Sequence, residues 1–152
     1  MSLYLRTDNQ IRDVMMSILQ SKRIFIIEDN LANRTIEQMI LERNGAKTAI
    51  ERYGGSETIK NLKAFAPIDI IIMDLMLPEG VSGFDVADNI RKLPEFERVP
   101  IVAVSATDPA ESMPKVVAKG FAGFISKPID FDLFPKQIAR ILDGEKIWVE
   151  GD

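Results

Sequence analysis

Three acids, one hydroxyl and one ammonium carry the chemistry that this sequence offers. Glu28 and Asp29 leave the apolar run Ile24-Phe25-Ile26-Ile27, and Asp74 leaves Ile70-Ile71-Ile72-Met73. Ser105 follows Ile101-Val102-Ala103-Val104, and Lys127-Pro128 follows Phe124-Ile125-Ser126. Carboxylates that meet without a cation repel and raise one another's pKa. A hard divalent cation removes that cost, and Mg²⁺ (or Mn²⁺ in its place) uses one or two carboxylates with water and phosphate oxygens. A lysine beside such a cation neutralises the oxygens of a phosphoryl group in transfer. A serine donates a hydrogen bond to one of those oxygens, and a carboxylate such as Asp74 accepts the group as an acyl phosphate. The pattern suits a cation and a phosphoryl group.

The elements that must gather these groups alternate along the chain. Arg23–Ile27 is an apolar, β-branched run read as a buried strand (β1). Residues 31–43 follow as a helix (α1) with Ile36, Met39 and Ile40 inward, stopped by Asn44-Gly45. Lys47–Glu51 (β2) interleaves polar residues, as a sheet edge does. Residues 56–65 make a helix (α2) with Ile59 and Leu62 inward, closed ahead of Pro67. Residues 68–73 (β3) are the most hydrophobic strand and the expected centre of the sheet. After a loop at 78–83, Ser82-Gly83-Phe84-Asp85 caps a helix running to about residue 93 (α3). Residues 99–104 (β4) form another buried strand. Pro109 and Pro114 keep the next stretch irregular, up to a short helix (α4) that Ser112 caps and Gly120 ends. Residues 122–126 give the fifth strand (β5), and 131–142 the last helix (α5), with Phe134, Ile138 and Ile141 inward.

Five β/α units joined by right-handed crossovers predict an α/β fold with a doubly wound, five-stranded parallel sheet. Its C-terminal strand ends would carry Glu28, Asp29, Asp74, Ser105 and Lys127 into one crevice, where open α/β sheets bind ligands. Ahead of the series, Ile11, Val14, Met15, Ile18 and Leu19 repeat at the spacing of one helical face. Thr7 and Gln10 read as a capping box in front of them. An extra amphipathic helix is therefore expected within an N-terminal extension, residues 1–21. The main domain is expected over 22–143, and a C-terminal tail over 144–152, whose Ile147-Trp148-Val149 is apolar enough to pack back.

Composition closes off other classes. The chain has neither cysteine nor histidine. Disulfides, thiolate chemistry, Cys-ligated zinc and Ser-His triads are thereby excluded. A formal net charge of −4 offers no basic face, so direct contact with nucleic acid is not expected. No apolar stretch approaches the roughly 20 residues of a bilayer-spanning helix. No secretory pattern is visible, and the expected location is cytoplasmic.

In this order and at these strand ends, Glu28-Asp29, Asp74-x-x-x-Pro78, Ser105-Ala106 and Lys127-Pro128 resemble the receiver domain of two-component response regulators, the CheY-like family. The match covers roughly residues 22–143. The resemblance implies a flavodoxin-like sheet in the order 2-1-3-4-5, a phosphoaspartate at Asp74, and phosphorelay signal transduction. It implies that Asp29 and Asp74 bind Mg²⁺ directly, that Glu28 helps through water, and that the Met76 main-chain carbonyl is a further ligand. Ser105 and Lys127 would hold the phosphoryl oxygens, and Phe124 would be the aromatic that rotates with Ser105 as a switch. The Lys127-Pro128 bond would be cis. The implied donor is a phosphohistidine on a histidine kinase or phosphotransfer protein. Output would pass to a protein partner through the face of α4, β5 and α5 or through the N-terminal helix, and homodimerisation is left open.

Some positions depart from that pattern. Glu28 stands where aspartate is commoner, and the loop from Asp74 to Gly83 is one residue longer than usual. Met76 is apolar where the family tunes hydrolysis, which predicts a long-lived phosphoaspartate. The chain is expected to be a phosphoacceptor with slow autodephosphorylation rather than an enzyme. A different reading is a pseudo-receiver, an interaction module that is never phosphorylated; Glu28 and the longer loop permit it, whereas Asp29, Asp74, Ser105 and Lys127 oppose it. A metal-dependent phosphohydrolase is disfavoured, because the second acid expected two residues after the nucleophile is Met76. Nucleotide binding lacks its glycine-rich loops. The chain is either a stand-alone regulator or a receiver from a longer hybrid protein.

Overall fold

The computed structural model describes residues 7–9 and 18–149. The expected N-terminal helix lies mostly outside the described residues. Of its apolar positions, Leu19 is fully buried in the core and Ile18 is exposed. The backbone N–H of Leu19 donates to the Asn44 carbonyl at 2.8 Å, which fastens the segment ahead of β1 to the end of α1.

The strands are β1 (Arg23–Ile27), β2 (Lys47–Glu51), β3 (Ile70–Met73), β4 (Ile101–Ser105), β5 (Gly123–Ser126) and β6 (Ile147–Val149). The helices are α1 (Leu31–Arg43), α2 (Ser56–Phe65), α3 (Gly83–Arg91), α4 (Pro109–Ala118) and α5 (Leu133–Leu142). All strand pairs are parallel, in the order β2-β1-β3-β4-β5-β6. The expected order 2-1-3-4-5 is present, with β2 at an edge and β3 inside. Among the described residues the expected count of five strands is corrected to six. β6, in the stretch read as a tail, pairs with β5 through Gly123↔Ile147, Phe124↔Trp148 and Ile125↔Val149. Three residues are too few to show a period, so the strand left little signal in the sequence.

The inner strands read as apolar runs because both faces of the sheet are covered there. Alternate residues feed separate cores. Phe25, Ile27, Ile71, Met73, Ala103 and Phe124 pack with Leu62 of α2, Phe84 and Ile90 of α3, and Val116 of α4. Ile24, Ile26, Ile70, Ile72, Val102, Val104 and Ile125 pack with Ile40 and Leu41 of α1 and with Phe134, Ile138 and Ile141 of α5. Among the described residues two helices therefore cover one side and three the other, and the parallel strands bring their C-terminal ends to one rim.

Two helices depart from the sequence reading. α1 is rotated by about one position: it buries Glu37, Ile40 and Leu41, while Ile36 and Met39 are exposed. α4 begins earlier than expected, at Pro109, with Asp108 as its N-cap accepting from the Ala110 N–H at 3.0 Å. Proline at the first helical position loses no hydrogen bond and arrives with a helical φ, so Pro109 starts the helix rather than delaying it. Ser112, expected as the cap, lies inside α4 and donates to Thr107 Oγ1 at 2.7 Å.

Candidate functional site

The sheet register sets the first two acids side by side. β1 and β3 are aligned with Ile27 opposite Met73. The Asp74 N–H donates to the Ile27 carbonyl at 3.0 Å, so Glu28 and Asp74 leave adjacent strands at the same level. β5 ends two strands away, and the Lys127 N–H donates to the Ser105 carbonyl at 3.0 Å. The Lys127-Pro128 peptide is cis, and so is Ala66-Pro67.

Lys127 closes the arrangement. Its Nζ donates to Glu28 Oε2 at 2.5 Å and to Asp74 Oδ2 at 3.1 Å. Ser105 Oγ donates to Asp74 Oδ1 at 3.1 Å, and the Met76 N–H reaches the same oxygen at 3.3 Å. Each oxygen of Asp74 thus has its own donor, and the carboxylate is fixed in one orientation. Glu28 is 2% exposed, and Asp74 sits at 9% at the mouth of the crevice. Burial raises the pKa of Glu28; the Lys127 hydrogen bond opposes this, and the Asp74 charge adds to the rise. Burial works against the charged form of Lys127 as well. Its hydrogen bond to Glu28 and the charges of Asp74 and Glu28 outweigh that, and its pKa lies above the ordinary lysine value.

Asp29 follows Glu28 in the β1–α1 loop, half-buried, with no side-chain partner among the described residues. Among the described residues no three acidic side chains close on a single point. The donor set nonetheless fits a hard divalent cation, which uses only one or two carboxylates and completes its shell with water and other oxygens. Glu28, Asp29 and Asp74 lie on two adjoining strand exits, and a buried acid with a raised pKa is relieved by a cation. The Met76 side chain is 71% exposed, and its residue pairs with Ser82 across the loop. Phe124 is completely buried on β5, three residues before Lys127.

Two residues at this rim escaped the sequence reading. A Cβ at Gly83 would fall 2.1 Å from the Asp74 carbonyl oxygen, so only glycine lets α3 start against the backbone of Asp74. Gly83 was visible only as part of a capping sequence, since close approach of two segments leaves no local mark. The other is Glu37, 1% exposed on α1 behind Lys127. Its signal was a glutamate at the i−4 and i−3 positions from Leu41 and Ile40, which places it on the buried face.

A parallel sheet in this order, with acids, serine and lysine at one rim, defines a flavodoxin-like α/β protein. Comparison with known proteins gives its family. Residues 24–139 match the family model described as "Response regulator receiver domain". The chain belongs to that family, the CheY-like receivers of two-component signalling. It is 31% identical over 122 residues to the polar-differentiation response regulator DivK of Brucella ovis, covering 80% of this chain and 97% of DivK. It is 29% identical over 119 residues to the CAI-1 autoinducer sensor kinase/phosphatase CqsS of Vibrio cholerae, covering 78% of this chain but 17% of that protein. The chain therefore spans about a sixth of that kinase's length. Its fold resembles the chemotaxis response regulator CheY4 of Vibrio cholerae, with a TM-score of 0.71 at 21% identity over 80% of this chain and 99% of the other. It also resembles the receiver domain of a sensor histidine kinase from Pseudomonas aeruginosa, with a TM-score of 0.69 at 23% identity over 81% of this chain and 98% of the other. That structure is described with a magnesium ion in its active-site cleft.

Proposed function

We propose that Asp74 accepts a phosphoryl group from a phosphohistidine on a partner histidine kinase or phosphotransfer protein, and that the phosphorylated domain signals to a protein partner. The observation that carries this reading is the separate anchoring of the two Asp74 oxygens, on Lys127 Nζ at 3.1 Å and Ser105 Oγ at 3.1 Å. An Asp74 oxygen attacks phosphorus from the crevice, a P–O bond forms, the P–N bond to the imidazole breaks, and the imidazole keeps the electron pair and takes a proton. Lys127 stays cationic and balances charge on the transferred oxygens. Ser105, already turned toward Asp74, donates to one of them. Asp29, Asp74, the Met76 carbonyl and, through water, Glu28 would hold Mg²⁺, which supplies neutralisation of the phosphoryl oxygens.

A protein donor is supported by the rim itself. Leu31 and Ile36 on α1 and Phe131 ahead of α5 expose apolar side chains that no small donor needs. For readout, Ser105 must leave Asp74 to follow a phosphoryl oxygen, and Phe124 behind it would repack. β6 lies against β5 in register with Phe124, so output through the α4, β5 and α5 face would also involve β6. The receiver unit would then extend past residue 143 to take in that strand. Turnover ends with water attacking the acyl phosphate, and the apolar Met76 side chain gives that water no hydrogen bond. A long-lived phosphoaspartate is expected; a half-life of seconds in purified protein with Mg²⁺ would contradict this.

The test is incubation with phosphoramidate and Mg²⁺ followed by intact mass. One phosphoryl adduct that disappears in Asp74→Asn and with chelator supports the reading. No adduct on the wild-type chain would make it a pseudo-receiver.

A further inference from the structure

One buried acid behind the site has no part in the reaction just described. Glu37, in the middle of α1, is 1% exposed, and neither of its carboxyl oxygens meets a hydrogen-bond donor among the described residues. Burying a polar group without a partner is costly, and such a group in a folded protein calls for an explanation. Glu37 lines a cavity of about 140 Å³ together with Lys127, Pro128, Ile129 and Phe131. The charges that act on it are those of the site: Glu28 and Asp74 from the ends of β1 and β3, and Lys127 from the end of β5. Of these only Lys127 can satisfy a carboxylate. An ammonium has three donors. Two are taken by Glu28 and Asp74.

Resting on the phosphoacceptor reading, we propose that Glu37 is a positioning residue for Lys127: its carboxyl offers the ammonium a second seat, reached by swinging across the cavity they share. The lysine stem is flexible, and both residues line the one cavity it would cross. With Glu37 neutral, Lys127 stays at the crevice with Asp74. With Glu37 ionised, the seat competes, and Lys127 spends less time where phosphoryl oxygens need it. Burial first, and the Glu28 charge second, push the Glu37 pKa up to about 8. The balance between the two seats therefore turns within the range where most proteins work.

Two measurements test this. The first is the rate at which phosphoramidate with Mg²⁺ adds a phosphoryl group, followed by intact mass from pH 6.5 to 9.5 in the wild-type chain and in Glu37→Gln. A carboxyl of that pKa is about a tenth ionised at pH 7 and about nine tenths at pH 9, so the wild-type rate relative to the variant should fall by roughly threefold or more between them. Any pH effect on the donor acts on both proteins and cancels. A merely structural Glu37 predicts parallel profiles, and parallel profiles would overturn the proposal. The second is the ¹⁵N resonance of the Lys127 ammonium without any donor, assigned by its loss in Lys127→Arg. It should move with a midpoint near pH 8 in the wild-type chain and lack that step in Glu37→Gln. The same titration in both proteins would overturn the second seat. A Lys127 step that depends on Glu37, in a chain that never takes a phosphoryl group, would support the seat and sink the phosphoacceptor reading alone.

Discussion

Lys127 is the residue on which the rim turns. It spans acids from two other strands and is only 10% exposed at its side chain, so its contacts are not those of a solvent-screened surface pair. Removing it leaves Glu28 buried with no cation, and the acid would take up a proton rather than remain charged. Lys127→Gln is expected to fold and to accept a phosphoryl group from phosphoramidate roughly a hundredfold more slowly, the usual cost of losing one preorganised charge-stabilising donor. Ser105→Ala, which removes a neutral donor worth about 1 kcal/mol, should cost roughly five- to tenfold. Rates by intact mass check both, and a Lys127→Gln rate equal to wild type would remove Lys127 from the reaction. These residues were legible beforehand because each ends an apolar run, a local mark. Gly83 was not, because what it must avoid is the backbone of Asp74 nine positions earlier.

At the scale of elements, what was legible depended on whether one face or two is buried. Strands covered on both sides show as continuous apolar runs, and β1, β3, β4 and β5 all did. α1 carries apolar residues all around, at Leu31, Ile36, Met39, Ile40 and Leu41, so its period alone did not choose between neighbouring faces. Packing chose the one that contains Glu37, and this has a cost that depends on pH. The Glu37 pKa rises from 4.5 unfolded to about 8 folded, chiefly through burial. Between those values the folded protein holds a proton that the unfolded chain has released, so stability falls as pH rises from 4.5 to about 8. The whole effect is on the order of a few kcal/mol. Urea unfolding at pH 5, 7 and 9 should show it in the wild-type chain and a flatter dependence in Glu37→Gln. Identical dependences would contradict the burial of this acid.

For the whole molecule, the added strand matters most. β6 covers the edge that β5 would otherwise present, with Ile147 5% exposed in one core and Trp148 packed against the other. Open strand edges invite pairing with other chains. Ending the chain after Gly144 should cost about 2–3 kcal/mol, mainly through lost burial of Ile147 and Trp148. It should also promote self-association, visible by sedimentation. Unchanged urea midpoints and a monomeric truncated chain would show that β6 is dispensable. The fold class and the rim residues could be read from the sequence, and the order of the first five strands was what the family resemblance implied. The sixth strand could not, since its pairing depends on a neighbour already built. What joins these scales is the phosphoryl group proposed for Asp74, and borohydride tests it most directly. Reducing an acyl phosphate on aspartate leaves homoserine, so protein treated with phosphoramidate and Mg²⁺, then borohydride, and mapped by peptide mass should carry homoserine at position 74 alone. Unmodified aspartate there, or homoserine at Asp29 instead, would contradict the account.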